Sequence, residues 1–288
     1  MSLPINQIIC GDNVAVMSGW PDACIDLTVT SPPYDDLRQY NSSKPMSELW
    51  DFEAVAQQLW RVTKPGGVVV WVVADATVNG SETGTSFRQA LRFMEIGFRL
   101  HDTMIYKQAG TGAKGSNLAY WQEWDFMFVF SVGSPKAINR IERETRVAGR
   151  RKATSPQCDK LGSRTERGIR VTGETCVRGN VWEYHAGKNS DYREACFNGH
   201  PAPFPESLAR DHILSWSNEG DVVLDCFAGS GTTCKMARAM GRRWVGIEIN
   251  PDYVTICKKR MAQQVLPIMA APEHVLTEIS DDLILERG

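Results

Sequence analysis

At 288 residues, with 42% hydrophobic and 23% charged residues, 24 glycines and 14 prolines, the chain is too mixed for collagen, a long coiled coil or wholesale disorder. No apolar run approaches about 18 residues, so no bilayer-crossing helix is expected, and Met1 to Cys10 lacks the basic-then-apolar order of a secretory signal. The formal charge of −2 conceals a basic segment between Lys136 and Arg170, where 11 Lys and Arg face 4 Asp and Glu.

In chain order, Ile5 to Cys10 and Cys24 to Thr30 read as strands. Ser47 to Arg61 places Leu49, Phe52, Val55 and Leu59 on one helical face, and Lys64-Pro65-Gly66-Gly67 ends that helix. Val68 to Val73 is a continuous apolar strand of the kind covered on both faces. Leu100 to Lys107 and Trp124 to Ser131 are two further strands. From Val132 to Asn180 the chain is polar and basic, with little apolar periodicity. The rhythm resumes with a helix (Phe204 to Trp216), a strand (Val222 to Cys226), a glycine turn and a helix to Met240. A strand from Trp244 to Ile249 and a helix from Tyr253 to Gln263 complete it.

Strand–helix alternation on both sides of an irregular insert predicts an α/β, doubly wound, mostly parallel sheet. The expected organisation is a first half over 1–131, a recognition insert over 132–180 assisted by loop 108–117, a second half over 181–263, and a tail over 264–288. Eight cysteines without a Cys-x-x-Cys pair read as reduced thiols of a cytoplasmic protein.

Two loops carry chemistry. Asp225-Cys226-Phe227-Ala228-Gly229-Ser230-Gly231-Thr232-Thr233 follows a strand and opens a helix, so a ligand can approach its backbone closely. Glu248 ends the next strand, where an acid can hydrogen-bond a ribose hydroxyl pair. A P-loop would need Gly-Lys-Ser/Thr, and a dinucleotide fingerprint would need glycine where Cys234 stands. An adenosyl cofactor without phosphates fits both gaps; a merely structural glycine turn is the alternative.

The second loop is Ser31-Pro32-Pro33-Tyr34, after the strand that ends at Thr30. Its two prolines donate no backbone hydrogen bond. The Ser31 hydroxyl and the carbonyls around Pro32 remain as acceptors beside the Tyr34 ring, a setting for a planar group with an exocyclic NH2. A cis-proline turn that closes the strand is the plain alternative.

Together, Thr-Ser-Pro-Pro-Tyr and Phe-Ala-Gly-Ser-Gly-Thr-Thr resemble the S-adenosylmethionine-dependent DNA amino-methyltransferases, and their order is similar to the β class of that family. Gly11-Asp12, Lys64-Pro65-Gly66-Gly67, His200 to Glu206 and Gly246-Ile247-Glu248 extend the resemblance over nearly the whole chain except 132–180 and the tail. It implies a Rossmann-like methyltransferase fold. Asp225, Phe227, Ala228, Gly229, Ser230, Gly231, Thr232 and Thr233 would surround the methionine part of the cofactor, and Glu248 would hold its ribose. Asp12 would lie by its adenine, or serve as a helix N-cap. Phe204 and Pro205 would pack over it, unless Phe204 is an ordinary core aromatic.

The catalytic residues implied are Ser31, Pro32, Pro33 and Tyr34, which would accept the amine hydrogens of a flipped base and stack on its ring. The expected product is N6-methyladenine, with N4-methylcytosine as the alternative. Cytosine C5 chemistry lacks its Pro-Cys pair, and a zinc deaminase lacks Cys-x-x-Cys and His-x-Glu. A nicotinamide dehydrogenase has no use for the proline loop, and a non-catalytic nucleic-acid binder does not explain the paired loops. Lys136, Arg140, Arg143, Arg146, Arg150, Arg151 and Lys152 are expected to contact double-stranded DNA, along one face if the segment is helical; a solvated loop is the alternative. The resemblance further implies a homodimer, no metal and no membrane. Gly231→Val is expected to block the cofactor while the chain still folds.

Overall fold

The computed structural model describes residues 2–33, 50–109, 120–145, 148–153, 169–171, 173–185 and 205–262. The first half contains β1 (Gln7–Cys10), α1 (Asn13–Ser18), β2 (Ile25–Thr30), α2 (Phe52–Val62) and β3 (Thr63–Val73). A two-residue pair, β4 (Thr77–Val78) and β5 (Ser81–Glu82), precedes α3 (Thr85–Ile96), β6 (Arg99–Ala109) and β7 (Trp124–Ser131). The insert holds β8 (Glu142–Glu144), β9 (Arg151–Ala153), β10 (Ile169–Val171) and β11 (Thr175–Val177), and β12 (Val181–His185) follows it. The chain then forms α4 (Glu206–Trp216), β13 (Val222–Asp225), α5 (Thr232–Ala239), β14 (Arg243–Glu248) and α6 (Pro251–Ala262).

Eight strands make one sheet in the order β1-β14-β13-β2-β3-β7-β6-β12. Among the described strands of this sheet only β7 runs against its neighbours; the other pairings are parallel. The apolar run in β3 shows why the sheet has two covered faces. Val68, Val70 and Val72 pack with Leu208 and Ile213 of α4, Ala237 of α5 and Cys257 of α6. Val69, Trp71 and Val73 pack with Met17 of α1, Leu59 of α2 and Phe93 of α3. Each such side chain, once buried, contributes on the order of 1.5–3 kcal/mol. The doubly wound expectation is therefore met.

The differences have local causes. Lys64 to Gly67 follows the end of α2 but lies within β3, looped out of the ladder between the Ile25–Thr63 and Leu27–Val68 pairs. Gly67 is required there, because a Cβ would lie 2.9 Å from the Lys64 carbonyl and 3.0 Å from that of Asp26. Helix α1 was foreseen only through the N-cap alternative for Asp12, and helix α3 and strand β12 were not anticipated. The basic segment is not helical where it is described. Glu142–Glu144 pairs antiparallel with Thr175–Val177, and Arg151–Ala153 with Ile169–Val171. The Glu-Arg-Glu alternation suits a period of two rather than 3.6, and Thr175 Oγ1 donates to Glu142 Oε2 at 2.6 Å across the ribbon. Among the described residues no helix is long and apolar enough to cross a membrane.

Candidate active site

Strands β13 and β2 lie side by side at the centre of the sheet, yet their crossovers lead in opposite directions. The chain passes from β13 through α5 to β14 on one side, and from β2 through α2 to β3 on the other. Crevices open beyond the carboxyl ends of strands at such a divergence. Both chemistry-bearing loops begin there: residues 225–231 after β13, and Ser31 to Pro33 after β2.

They are bonded to each other. Thr30 Oγ1 donates to Asp225 Oδ1 at 2.7 Å, and Thr233 Oγ1 donates to the Val29 carbonyl at 3.1 Å. Asn13 of α1 adds a third tie, its Nδ2 reaching the Cys226 carbonyl at 3.1 Å. Asp225 is buried, and among the described residues the groups bonded to it are neutral: the Thr30 hydroxyl and the Phe227 N–H donate to it, with the Thr233 hydroxyl beside them. Burial pushes its carboxyl up to about 6. Burial likewise drives the neighbouring Cys226 thiol far above the ordinary thiol range, so it is not a thiolate nucleophile.

The glycine loop turns through Gly229 at φ +50° and Gly231 at φ +80°, conformations natural to glycine. Gly229 N–H donates to Glu248 Oε2 and Asn250 N–H to Glu248 Oε1, each at 2.8 Å. Glu248 is thus fixed at the end of β14 opposite Cys10 of β1, with its carboxyl raised by burial. A carboxylate can accept about four hydrogen bonds, so capacity remains for hydroxyls. Asp12 N-caps α1 by accepting from Ala15 N–H at 2.8 Å, which is the alternative role considered for it, and it is exposed beside this edge.

The expectation that a Gly231→Val chain still folds is corrected by the packing behind the loop. A Cβ on Gly231 would lie 2.1 Å from Cys257 Sγ of α6, inside the protein rather than in the crevice. Gly231→Val is therefore expected to destabilise the whole fold by about 2–5 kcal/mol, combining overpacking with a strained φ. Thermal unfolding of the variant measures this, and an unchanged Tm would refute it.

The remaining expected residues divide. Ser31 is half-buried, Pro32 buried and Pro33 half-buried, and no peptide among the described residues is cis, which removes the cis-proline alternative. Pro205 is buried as the N-cap of α4. Tyr34, Phe204 and Arg146 lie outside the described residues. Lys136 sits at the amino ends of β2 and β13, away from the crevice, its Nζ 4.0 Å from Asp26 and 3.9 Å from Asp221. Arg140, Arg143 and Arg150 are exposed on the insert. Strand β12 and the residues leading into it anchor the insert to α4: Arg178 Nη1 and Tyr184 Oη both donate to Asp211 Oδ2 at 2.8 Å.

Sequence reasoning missed two aromatic or apolar groups at this edge. Trp50 packs edge-on against Phe227 with centroids 5.1 Å apart. Ile249, 62% exposed beside Glu248, offers an apolar surface to a planar ring. An exposed aliphatic residue directly after a strand-terminal acid is the signal that could have found it.

A family model described as DNA methylase matches residues 25–259. The orphan methyltransferase M.BamHII of Bacillus amyloliquefaciens is 47% identical over 248 residues, covering 85% of this chain and 91% of that protein. Among solved structures, the PvuII DNA methyltransferase (cytosine-N4-specific) superposes with a TM-score of 0.66 at 20% identity, over 90% of this chain and 87% of its own. The M1.HpyAVI–SAM complex gives a TM-score of 0.58 at 18% identity, over 89% and 99%.

Proposed function

Because the chain belongs to this DNA methylase family, we propose that it transfers a methyl group from S-adenosylmethionine to the exocyclic amine of a base flipped out of double-stranded DNA. The observation that carries the reading is the 2.7 Å bond between Thr30 and Asp225, which joins the amine-accepting loop to the glycine loop. The cofactor, when bound, supplies an electrophilic sulfonium methyl group. The residues present suit it. Asp225 is a buried acid whose partners among the described residues are neutral, a place for a cationic group; Glu248 suits ribose hydroxyls, and Ile249 an adenine face.

Ser31 and the Pro32 carbonyl accept the two amine hydrogens, which favours a pyramidal nitrogen with an available lone pair. Their fixed positions lower the barrier by orientation and electrostatics. Tyr34 replaces the stacking that the base loses on leaving the duplex. Adenine N6 is the reading carried from the sequence. Cytosine N4 is the second reading: the neutral Ser31 hydroxyl can accept from either exocyclic amine, and the PvuII DNA methyltransferase, a neighbour in fold, is described as cytosine-N4-specific. Nucleoside mass spectrometry of DNA incubated with the chain and S-adenosylmethionine tests the proposal. Either methylated amine supports it and names the base, whereas 5-methylcytosine or no product would reject it.

The exposed arginines of the insert are proposed to hold the DNA backbone, the enzyme acting as a homodimer. Charge reversal of Arg150 and Arg151 together should weaken DNA binding and reduce the slope of log affinity against log salt by about 1–2. Cofactor affinity should not move. A salt slope equal to that of the unaltered chain would return the segment to a solvated surface.

A further inference from the structure

Behind the glycine loop lies a cation that the reading above does not use. Arg260, on the inner face of α6, is only 1% exposed. Its Nη1 donates to the Ser230 carbonyl at 2.8 Å, to Ser230 Oγ at 2.9 Å and to Thr232 Oγ1 at 3.2 Å. Its Nη2 donates to Glu206 Oε1 at 2.6 Å. Glu206 is the first residue of α4, directly after Pro205, and Lys235 of α5 donates to the same oxygen at 2.8 Å. One turn earlier on α6, Cys257 Sγ fills the space that the absent Gly231 side chain leaves.

A buried guanidinium is costly unless its surroundings repay it. Here the repayment comes from two segments that meet nowhere in sequence: residues 230–232, which open α5, and residues 205–206, which open α4. A planar fork with several donors can hold both at a set spacing, whereas a lysine ammonium cannot reach both with the same geometry. The resemblance assigns residues 230–232 to the surroundings of the cofactor and Pro205 to its cover.

We propose that Arg260, through its bond to Glu206, is a positioning residue that sets the spacing between the glycine loop and the Pro205–Glu206 start of α4, and so governs cofactor affinity without touching the base. The inference rests on the cofactor reading of that loop. It assigns Arg260 to the binding of S-adenosylmethionine, separately from DNA binding and from the methyl-transfer step.

The test measures S-adenosylmethionine affinity by calorimetry, DNA affinity, and kcat at saturating cofactor, for the full chain and for Arg260→Met, Arg260→Lys and Glu206→Gln. Arg260→Met should weaken cofactor binding about tenfold or more, with DNA affinity unchanged and kcat within about threefold. Arg260→Lys should recover part of that loss, and Glu206→Gln should show a smaller loss of the same kind. If the unaltered chain bound no S-adenosylmethionine, the proposed function itself would fail. If it bound and a folded Arg260→Met variant bound equally well, the positioning role would be overturned. Should Arg260→Met not fold, Glu206→Gln decides: an unchanged cofactor affinity overturns the proposal, and a selective loss supports it.

Discussion

Replacing Asp225 with Asn should weaken S-adenosylmethionine binding about tenfold to a hundredfold, while leaving the protein no less stable at pH 8. The two halves of this result have one cause. The carboxyl is buried, its partners among the described residues are neutral, and burial raises it from its ordinary value of 3.8 to about 6. A carboxyl raised on folding contributes stability that is fully present below pH 3.8 and is lost as the pH rises through about 6. At pH 8 the free protein therefore bears the burial of an uncompensated charge, worth about 3 kcal/mol at most by this shift. Asparagine can still accept from Thr30 and from Phe227 N–H, and it carries no charge to bury. A cationic cofactor reverses the balance by favouring the ionised form. Cofactor affinity of the unaltered chain should then fall as the pH drops below about 6, where binding releases up to one proton from Asp225, and Asp225→Asn should abolish that dependence. Calorimetry across pH 5 to 8 measures both. A pH-independent affinity in the unaltered chain would separate Asp225 from the cofactor.

Ser31→Ala should lower kcat about a hundredfold and change the dissociation constant for S-adenosylmethionine by less than about twofold. Ser31 follows Thr30, whose hydroxyl is held by Asp225, so its backbone is fixed relative to the glycine loop. It precedes two prolines that have no N–H to offer. The serine oxygen is the side-chain acceptor proposed for the target amine, and nothing in the cofactor reading depends on it. Pre-steady-state methyl transfer at saturating DNA and cofactor isolates the effect. Full turnover in the variant would transfer the accepting role entirely to the backbone carbonyls.

Most of the sheet was legible because its central strands are short apolar runs between glycine and proline signals. Val68 to Val73 is buried on both faces, as a continuous apolar run implies. Helix α3 was missed although Phe87, Ala90, Leu91 and Met94 stand at helical spacing, and that stripe is only partly the buried face. Ala90 and Phe93 are buried, but Phe87, Leu91 and Met94 are exposed on the same helix. Strand β12 alternates correctly, with Trp182 and Tyr184 buried, but five residues beside a polar insert give little pattern to read. At the site, the glycine loop, Glu248 and the proline loop were visible because their chemistry is local in sequence. Cys257 and Arg260 were not. Their relation to Gly231, Ser230 and Thr232 exists only once α6 has packed back against the loop, and no spacing along the chain encodes that.

The adjacency of β2 and β13 also constrains how the molecule is made. Thr30 and Asp225 are bonded across 195 residues of chain, and β1 depends in the same way on β14, with Gln7 paired to Val245. At ordinary synthesis rates, roughly 10–40 s separate the appearance of β2 from that of its central neighbour. Through that interval Ile25 to Thr30, a segment buried at every position in the finished fold, has an open pairing edge on one side, the condition under which strands join other chains. The nascent first half can build β3, β6 and β7 with their helices, but it must wait for the second half to close the sheet, and a ribosome stalled between the halves would release a sticky intermediate.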